Sequence, residues 1–234
     1  MNERMWERIG AASGLLSAAL LAAAVLVLPS TGGVGSTAAM IRYFADYSVQ
    51  VRVSLLLVLL AMVVFLWFVG HLRHVLQRAE GGAEAFSPVV LGAGVALSAV
   101  GLLSVVPGGA LAYLAQGPQS MMAGDVARSL IGARMFSGAA LELLIALFTG
   151  AAGLAMVRRE LAGRWLGWFG LAVAVIGLIA GVATAMTITV STFATVMSLL
   201  TFATFVLWLA TASVVMVVRP EVERTPAERS VFAH

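Results

Sequence analysis

Six long apolar segments, joined by short polar turns, constrain the fold of this sequence more than any other feature. The segments are Ile9–Leu28, Val53–Gly70, Val89–Leu114, Asp125–Glu160, Trp165–Met186 and a final stretch that ends at Val218. A helix needs roughly 20 residues to cross the hydrocarbon core of a bilayer. Only 11 % of the 234 residues are charged, against about 25 % in soluble domains. The sequence therefore predicts an all-α polytopic membrane protein with six transmembrane helices. We expect residues 1–218 to form one bundle and residues 219–234 to form a cytoplasmic polar tail.

The absence of two residue types excludes several kinds of chemistry. All 14 lysine-or-arginine positions are arginines, and there is no cysteine. A chain without lysine forms no Schiff base, and one without cysteine has no thiolate metal site and no disulfide exchange centre. His71 and His74 lie one helical turn apart, but the only other histidine is His234, so no metal site is predicted. No cofactor is predicted, and arginines at helix ends do not indicate nucleic-acid binding.

The arginines are distributed unequally between the two sides of the predicted membrane. Ten lie at the N-terminus, the C-terminus, or the loops that follow the second and fourth spans. The four on the opposite side are Arg42, Arg52, Arg128 and Arg134. Because arginine and lysine accumulate on the cytoplasmic side, both termini are predicted to be cytoplasmic.

Three local patterns add detail to this arrangement. Residues Thr37–Gln50 place apolar and polar side chains on opposite faces, with Asp46 on the polar face, which predicts an amphipathic helix on the outer membrane surface. In the third span, Pro107 precedes two glycines, and we expect a kink or an early end of the helix there. The fifth span carries a stripe of small residues, which predicts close packing against a neighbouring helix. The stripe consists of Gly170, Ala174, Gly177 and Gly181.

Glu142 is the one carboxylate inside the fourth span, and the hypotheses of function depend on it. An ionised acid at the centre of a span costs roughly 2.5–3.5 kcal/mol on insertion scales, so it requires a partner or a function. As a structural residue it would form an ion pair with Arg52 or Arg134, or with Arg128. As a functional residue it would carry a proton, act as a general acid, or anchor a cationic or hydroxylated ligand. The predicted ligand-binding residues, beside an outward-facing pocket, are Glu142, Arg52, Arg134, Arg128 and Asp46.

Three stretches at helix ends resemble one protein family. They are FLWFVGHLRHVLQRAEGG at the second span, DVARSLIGAR at the start of the fourth, and RRELAGRWLGWFGL before the fifth. Together they resemble a family of uncharacterised actinobacterial six-helix integral membrane proteins, classified as a domain of unknown function. Members of that family typically have a proline where this chain has Gly163. The resemblance implies a helical bundle in the bacterial inner membrane, and it brings no activity.

Three classes of function follow from these observations. The first is binding or transport of a small amphiphile or lipid through an outward-facing cavity near Glu142. The second is an intramembrane enzyme that acts on a lipid or isoprenoid with Glu142 as general acid, and no other catalytic residue is predicted. The third is a structural or partner subunit of a membrane complex. The expected partners are the lipid bilayer and the small ligand, and the sequence is also compatible with a homo-oligomer.

Overall fold

The computed structural model describes residues 3–29, 37–80, 85–116, 124–159, 163–187 and 191–218. The described chain forms the helices α1 (Glu3–Leu26), α2 (Thr37–Asp46), α3 (Ser48–Glu80), α4 (Ser87–Leu114), α5 (Gly124–Arg159), α6 (Arg164–Met186) and α7 (Thr192–Val218). Among the described residues, all of these helices except α2 are long and apolar enough to cross a membrane. The prediction of an all-α polytopic protein with six spans is therefore confirmed. Residues 219–234, predicted to be a polar tail, lie outside the described ranges.

The six spanning helices pack side by side in a closed ring. The order around the ring is α1, α3, α4, α5, α6, α7, and α7 packs against α1. α5 also approaches α3 and α7 across the ring, and it is the most deeply buried of the spans. The short helix α2 packs on one end of the ring, against α3, α4 and α5. We call this end the α2 end.

The helices α5 and α6 make the most extensive contact in the bundle because glycines line both of them. A Cβ atom on Gly153 would lie 2.7 Å from the carbonyl oxygen of Gly167. A Cβ atom on Gly177 would lie 3.0 Å from the carbonyl oxygen of Glu142. Within lipid, such close approach of two backbones provides the van der Waals contact that holds helices together. The small-residue stripe of the fifth span is thus confirmed as a packing surface.

The helix α4 continues through Pro107 to Leu114, so the early end expected at this proline is wrong. Leu111 and Ala112, which follow the proline, are buried against residues of α2, α3 and α5. This packing holds the last turns of α4 in place. Proline is tolerated in transmembrane helices because the surrounding structure compensates for the missing backbone hydrogen bond.

At the end opposite α2, a buried carboxylate joins α3 to α4. Glu80 is the last residue of α3, and its Oε1 atom accepts hydrogen bonds from the backbone N–H groups of Phe86 (2.8 Å) and Ser87 (3.2 Å). Its Oε2 atom accepts one from the Ser87 hydroxyl at 2.8 Å. Arg159 of α5 donates to the Glu80 carbonyl oxygen at 3.3 Å, and the Arg158 guanidinium lies 5.3 Å from the centroid of the Phe86 ring. These contacts tie three helix ends together.

Candidate functional site

The α2 end of the bundle carries its own small apolar cluster. Phe44 of α2 is 2 % exposed and is the centre of contacts with the neighbouring helices. The other buried members are Val51, Leu111, Ala112 and Ala127. Arg42 and Asp46, on the opposite face of α2, are exposed. The predicted amphipathic character of α2 is confirmed, and the helix ends at Asp46, four residues before the predicted Gln50.

Tyr43 connects α2 to the end of α1 and lies close to α5. Its hydroxyl donates a hydrogen bond to the carbonyl oxygen of Pro29 at 3.0 Å, and its ring centroid lies 5.2 Å from that of Tyr47. Burial raises the pKa of the Tyr43 hydroxyl from its ordinary value, while the charge of Arg134 acts to lower this pKa and Tyr47 acts to raise it. The charge of Arg134 on α5 is therefore close enough to act on the Tyr43 hydroxyl of α2.

Aromatic rings fill the centre of the ring of helices. The Phe148 ring of α5 lies 5.3 Å from Phe65 of α3 and 6.0 Å from Trp208 of α7, centroid to centroid. Phe65 also lies 6.0 Å from Phe205. The Trp208 indole donates a hydrogen bond to the carbonyl oxygen of Leu166 on α6 at 3.2 Å. All four rings are at most 3 % exposed. We call these four residues the aromatic plug, because they close the bundle centre.

Glu142 lies on the α2 side of the aromatic plug. It precedes Phe148 by six residues, so it is displaced by roughly 9 Å along α5 toward the α2 end. Its side chain is 7 % exposed. Its Oε2 atom is buried and accepts no hydrogen bond from any described group. One turn further toward the α2 end, a Cβ atom on Gly138 would meet no described atom within 4 Å, apart from the adjoining residues and backbone of α5 itself.

The ion pairs expected for Glu142 are not formed, so that prediction is wrong. Arg128 pairs with Asp125 at 3.3 Å, and Arg52 donates its Nε–H to the carbonyl oxygen of Ser48 at 3.3 Å. Arg134 is exposed. The physical reason is distance, because Arg134 and Arg128 precede Glu142 on the same helix by roughly 12 and 21 Å along its axis. Long basic side chains near the end of a span also extend toward water rather than into the bundle.

The helices packed around Glu142 provide no charge that could replace these arginines. In the described part of the chain, α7 has no ionisable residue, α4 has only the exposed Tyr113, and α6 has only Arg164, at the end opposite α2. The buried hydroxyls of Thr149 on α5 and Thr201 on α7 each donate to a carbonyl oxygen of their own helix, at 2.8 and 2.9 Å. Glu142 is therefore a buried carboxyl group with an unoccupied acceptor atom.

The predicted site residues fall into two separate groups. Glu142 lies inside the bundle, whereas Arg52, Arg128, Arg134 and Asp46 are exposed at the α2 end. Sequence reasoning missed Tyr43, which the structure places near Arg134. The position of Tyr43 in the sequence, next to Phe44 on the apolar face of α2, could have indicated that Tyr43 contacts the bundle. Sequence reasoning also missed the role of Glu80, for which the following Ser87-Pro88 helix start was the only indication.

Within the described ranges, no group of three or more histidine, aspartate or glutamate side chains is placed to hold a metal ion. Comparisons with protein-family models, with curated proteins and with solved structures find no match for this chain.

Proposed function

We propose that this protein binds or transports a small amphiphile whose polar head contacts Glu142. The observation that carries the proposal is the buried Oε2 atom without a hydrogen-bond donor. A buried polar group without a partner costs about 1–3 kcal/mol, and more when it is charged. A ligand that donates to this oxygen removes that cost. The apolar side chains of the bundle interior are chemically compatible with the hydrocarbon part of the same ligand.

Access to Glu142 is proposed to run from the α2 end through an outward-facing cavity. Two features support this direction. The aromatic plug occupies the bundle centre on the other side of Glu142, and Gly138, one turn nearer the α2 end, has open space where a side chain would stand. The cluster around Phe44 is also separate from the main apolar core, so α2 packs on the end of the bundle and not into its core. Arg134 and the exposed Arg52, Arg128 and Asp46 would line the entrance.

The membrane and the orientation are part of the same proposal. The arginine asymmetry supports cytoplasmic termini and, with them, a position of α2 on the outer surface of a bacterial inner membrane. The resemblance of the helix-end motifs to the actinobacterial family is consistent with this location.

The alternative functions have less support from the geometry. An enzyme with Glu142 as general acid needs further polar groups aimed at the same point, and the hydroxyls of Thr149 and Thr201 are bonded to their own helices. A purely structural Glu142 needs a partner, and none of the described residues supplies one. Of the three functions, ligand binding is the one in which the unpaired Oε2 atom of Glu142 receives a hydrogen bond.

Isothermal titration calorimetry on the purified protein in maltoside micelles tests the proposal. The probes are three eight-carbon amphiphiles, n-octylammonium, n-octanol and octanoate, each also titrated into empty micelles. We expect saturable binding of the ammonium or the alcohol, weakened about tenfold or more in Glu142→Gln, because a hydrogen bond to a charged group contributes roughly 1.5–3 kcal/mol. The control Asp125→Asn makes the same change at an exposed carboxylate of α5 and should bind as the wild type does.

Two results would contradict the proposal. One is the absence of saturable binding for all three probes. The other is binding that is the same in Glu142→Gln and the wild type, or that is confined to octanoate, since an anion would not contact a carboxylate.

A further inference from the structure

We propose that the head group of an anionic phospholipid binds Arg73, at the lipid-facing edge of the contact between α3 and α4 near the end of the bundle opposite α2. The observation that carries this inference is the Nε atom of Arg73, which is buried and donates to no described group. An arginine side chain keeps its charge and has five N–H donors but no acceptor. The partner that this guanidinium requires is therefore an oxygen of an anion. The inference does not depend on the ligand of Glu142.

Arg73 lies on the side of α3 that packs against α4. Four residues earlier, Val69 contacts Gly94 of α4, where an added Cβ atom would lie 2.6 Å from both Cγ atoms of Val69. Seven residues later, Glu80 accepts a hydrogen bond from the hydroxyl of Ser87 on α4. Residues four and seven positions apart lie on the same side of a helix. Arg73 therefore shares the α4-facing side of α3 with Val69 and Glu80.

Arg73 also borders the surface of α3 that faces lipid. Leu66 and Gly70, seven and three residues before Arg73, are exposed. A Cβ atom on Gly70 would meet no described atom within 4 Å, apart from the adjoining residues and backbone of α3 itself. The surface beside Gly70 is therefore open to an acyl chain that lies along α3, with its head group at Arg73.

The depth of Arg73 corresponds to the boundary between the hydrocarbon core and the head groups. α3 has 33 residues, so it is roughly 50 Å long and exceeds the hydrocarbon core of about 30 Å. If the excess is shared equally, about 10 Å of α3 lies outside the core at each end. Arg73 precedes Glu80, the last residue of α3, by seven positions, or roughly 10 Å. From this depth the long arginine side chain extends toward the lipid phosphates.

The acidic residue nearest in sequence to Arg73 does not replace the phosphate as its partner. Glu80 is the only acidic residue of α3 and α4, as the structure describes these helices. Both of its carboxylate oxygens already accept hydrogen bonds, from Phe86 and Ser87. Arg78, exposed in the last turn of α3, adds a second positive charge at this end.

The chemistry of this edge favours a lipid phosphate over other anions. The planar guanidinium group presents N–H donors in a fork that matches the oxygens of a phosphate. Because the edge borders the lipid-facing surface, an anion that carries acyl chains gains apolar contacts there that a soluble anion does not. Basic sites between transmembrane helices on the cytoplasmic side bind anionic head groups, and the arginine asymmetry favours that side for this end of the bundle.

Native mass spectrometry of the protein in maltoside micelles, after removal of co-purified lipid, tests the proposal. The probes are phosphatidylglycerol and phosphatidylcholine with identical acyl chains, and inorganic phosphate as a competitor. We expect one phosphatidylglycerol to bind about tenfold more tightly than phosphatidylcholine, because the choline group cancels the negative charge of the phosphate. Inorganic phosphate at equal concentration should not displace the lipid, because it has no acyl chains to pack along α3.

Variants assign the lipid to Arg73. Arg73→Gln should weaken the binding of phosphatidylglycerol about tenfold, because it removes a charge-assisted hydrogen bond. Arg73→Lys keeps the charge without the planar fork, so it should bind more tightly than Arg73→Gln and less tightly than the wild type. This variant keeps the test valid if Arg73→Gln does not fold. The control Arg158→Gln removes the same charge at the same end of the bundle, from a guanidinium that lies over the Phe86 ring, and should bind as the wild type does.

Four results would overturn the proposal. The first is equal binding of phosphatidylglycerol by the wild type and both Arg73 variants. The second is an equal loss in Arg158→Gln and Arg73→Gln, which would indicate a general effect of surface charge. The third is equal binding of the two lipids by the wild type. The fourth is displacement of the lipid by inorganic phosphate, which would make free phosphate the ligand. None of these results bears on binding at Glu142, so the proposed function is tested separately.

Discussion

The two buried carboxyl groups, Glu80 and Glu142, have opposite surroundings. Glu80 is 4 % exposed and accepts hydrogen bonds from Phe86 and Ser87. Glu142 is 7 % exposed, and its Oε2 atom accepts none from the described residues. A satisfied buried polar group stabilises its neighbours, whereas an unsatisfied one reduces stability. Glu80 is therefore a structural residue, and Glu142 is retained at a cost in stability, which is typical of functional sites.

The same substitution should consequently have opposite effects at the two positions. Methionine matches the length of glutamate and has no polar oxygen. We expect Glu142→Met to raise the free energy of unfolding by about 1–3 kcal/mol, because an unpaired buried acceptor is removed. We expect Glu80→Met to lower it by a similar amount, because the donors of Phe86 and Ser87 lose their acceptor. Equilibrium unfolding in mixed detergent micelles measures the free energy of unfolding of both variants. A lower free energy of unfolding in Glu142→Met than in the wild type would mean that Glu142 has a structural partner.

At the scale of elements, the contact between α5 and α6 fixes the position of Glu142. A Cβ atom on Gly177 would lie 3.0 Å from the carbonyl oxygen of Glu142, which is closer than ordinary van der Waals contact. Gly153 and Gly167 make a similar contact further along the same pair of helices. These glycines hold the two backbones in one register, and so they determine the depth at which the carboxyl group lies.

A large side chain at Gly177 should therefore separate the two helices. We expect Gly177→Leu to lower the free energy of unfolding by about 1–3 kcal/mol, the usual range for overpacking. Val175, two residues away on α6, is 58 % exposed, so Val175→Leu should stay within roughly 0.5 kcal/mol of the wild type. Thermal melts of the solubilised variants compare them, and equal melting temperatures would show that α5 and α6 do not pack as described.

The helices themselves could be predicted from the sequence because each depends on local properties. The length and apolar composition of a segment decide whether it spans a bilayer, and the spacing of Gly170 and Gly177 decides which face packs. The absence of an ion pair at Glu142 among the described residues could not be predicted in the same way. It depends on how far the guanidinium groups of Arg52, Arg128 and Arg134 lie from the carboxyl group, which only the packed structure determines. The aromatic plug and the Glu80 hydrogen bonds are also contacts between distant parts of the chain.

At the scale of the whole molecule, the two ends of the ring differ in how they are held. At one end, Glu80 and Arg159 join three helices through hydrogen bonds. At the other end, α2 rests on a small apolar cluster, and Tyr43 provides its bond to the end of α1. If the ligand enters past α2, as we propose, the side of the membrane on which α2 lies decides from where it reaches Glu142.

Single cysteines test that orientation without interference, because the chain has none of its own. Ala45 on α2 and Gln116 after α4 are exposed at the α2 end, whereas Ala85 is exposed at the opposite end. If the positive-inside rule holds for this chain, Ala45→Cys and Gln116→Cys react with an impermeant maleimide in intact cells, and Ala85→Cys reacts only after permeabilisation. Ala112→Cys, at a position that is 2 % exposed, should remain unlabelled in both conditions. Labelling of Ala85→Cys alone in intact cells would place α2 in the cytoplasm, so the ligand would reach Glu142 from inside the cell.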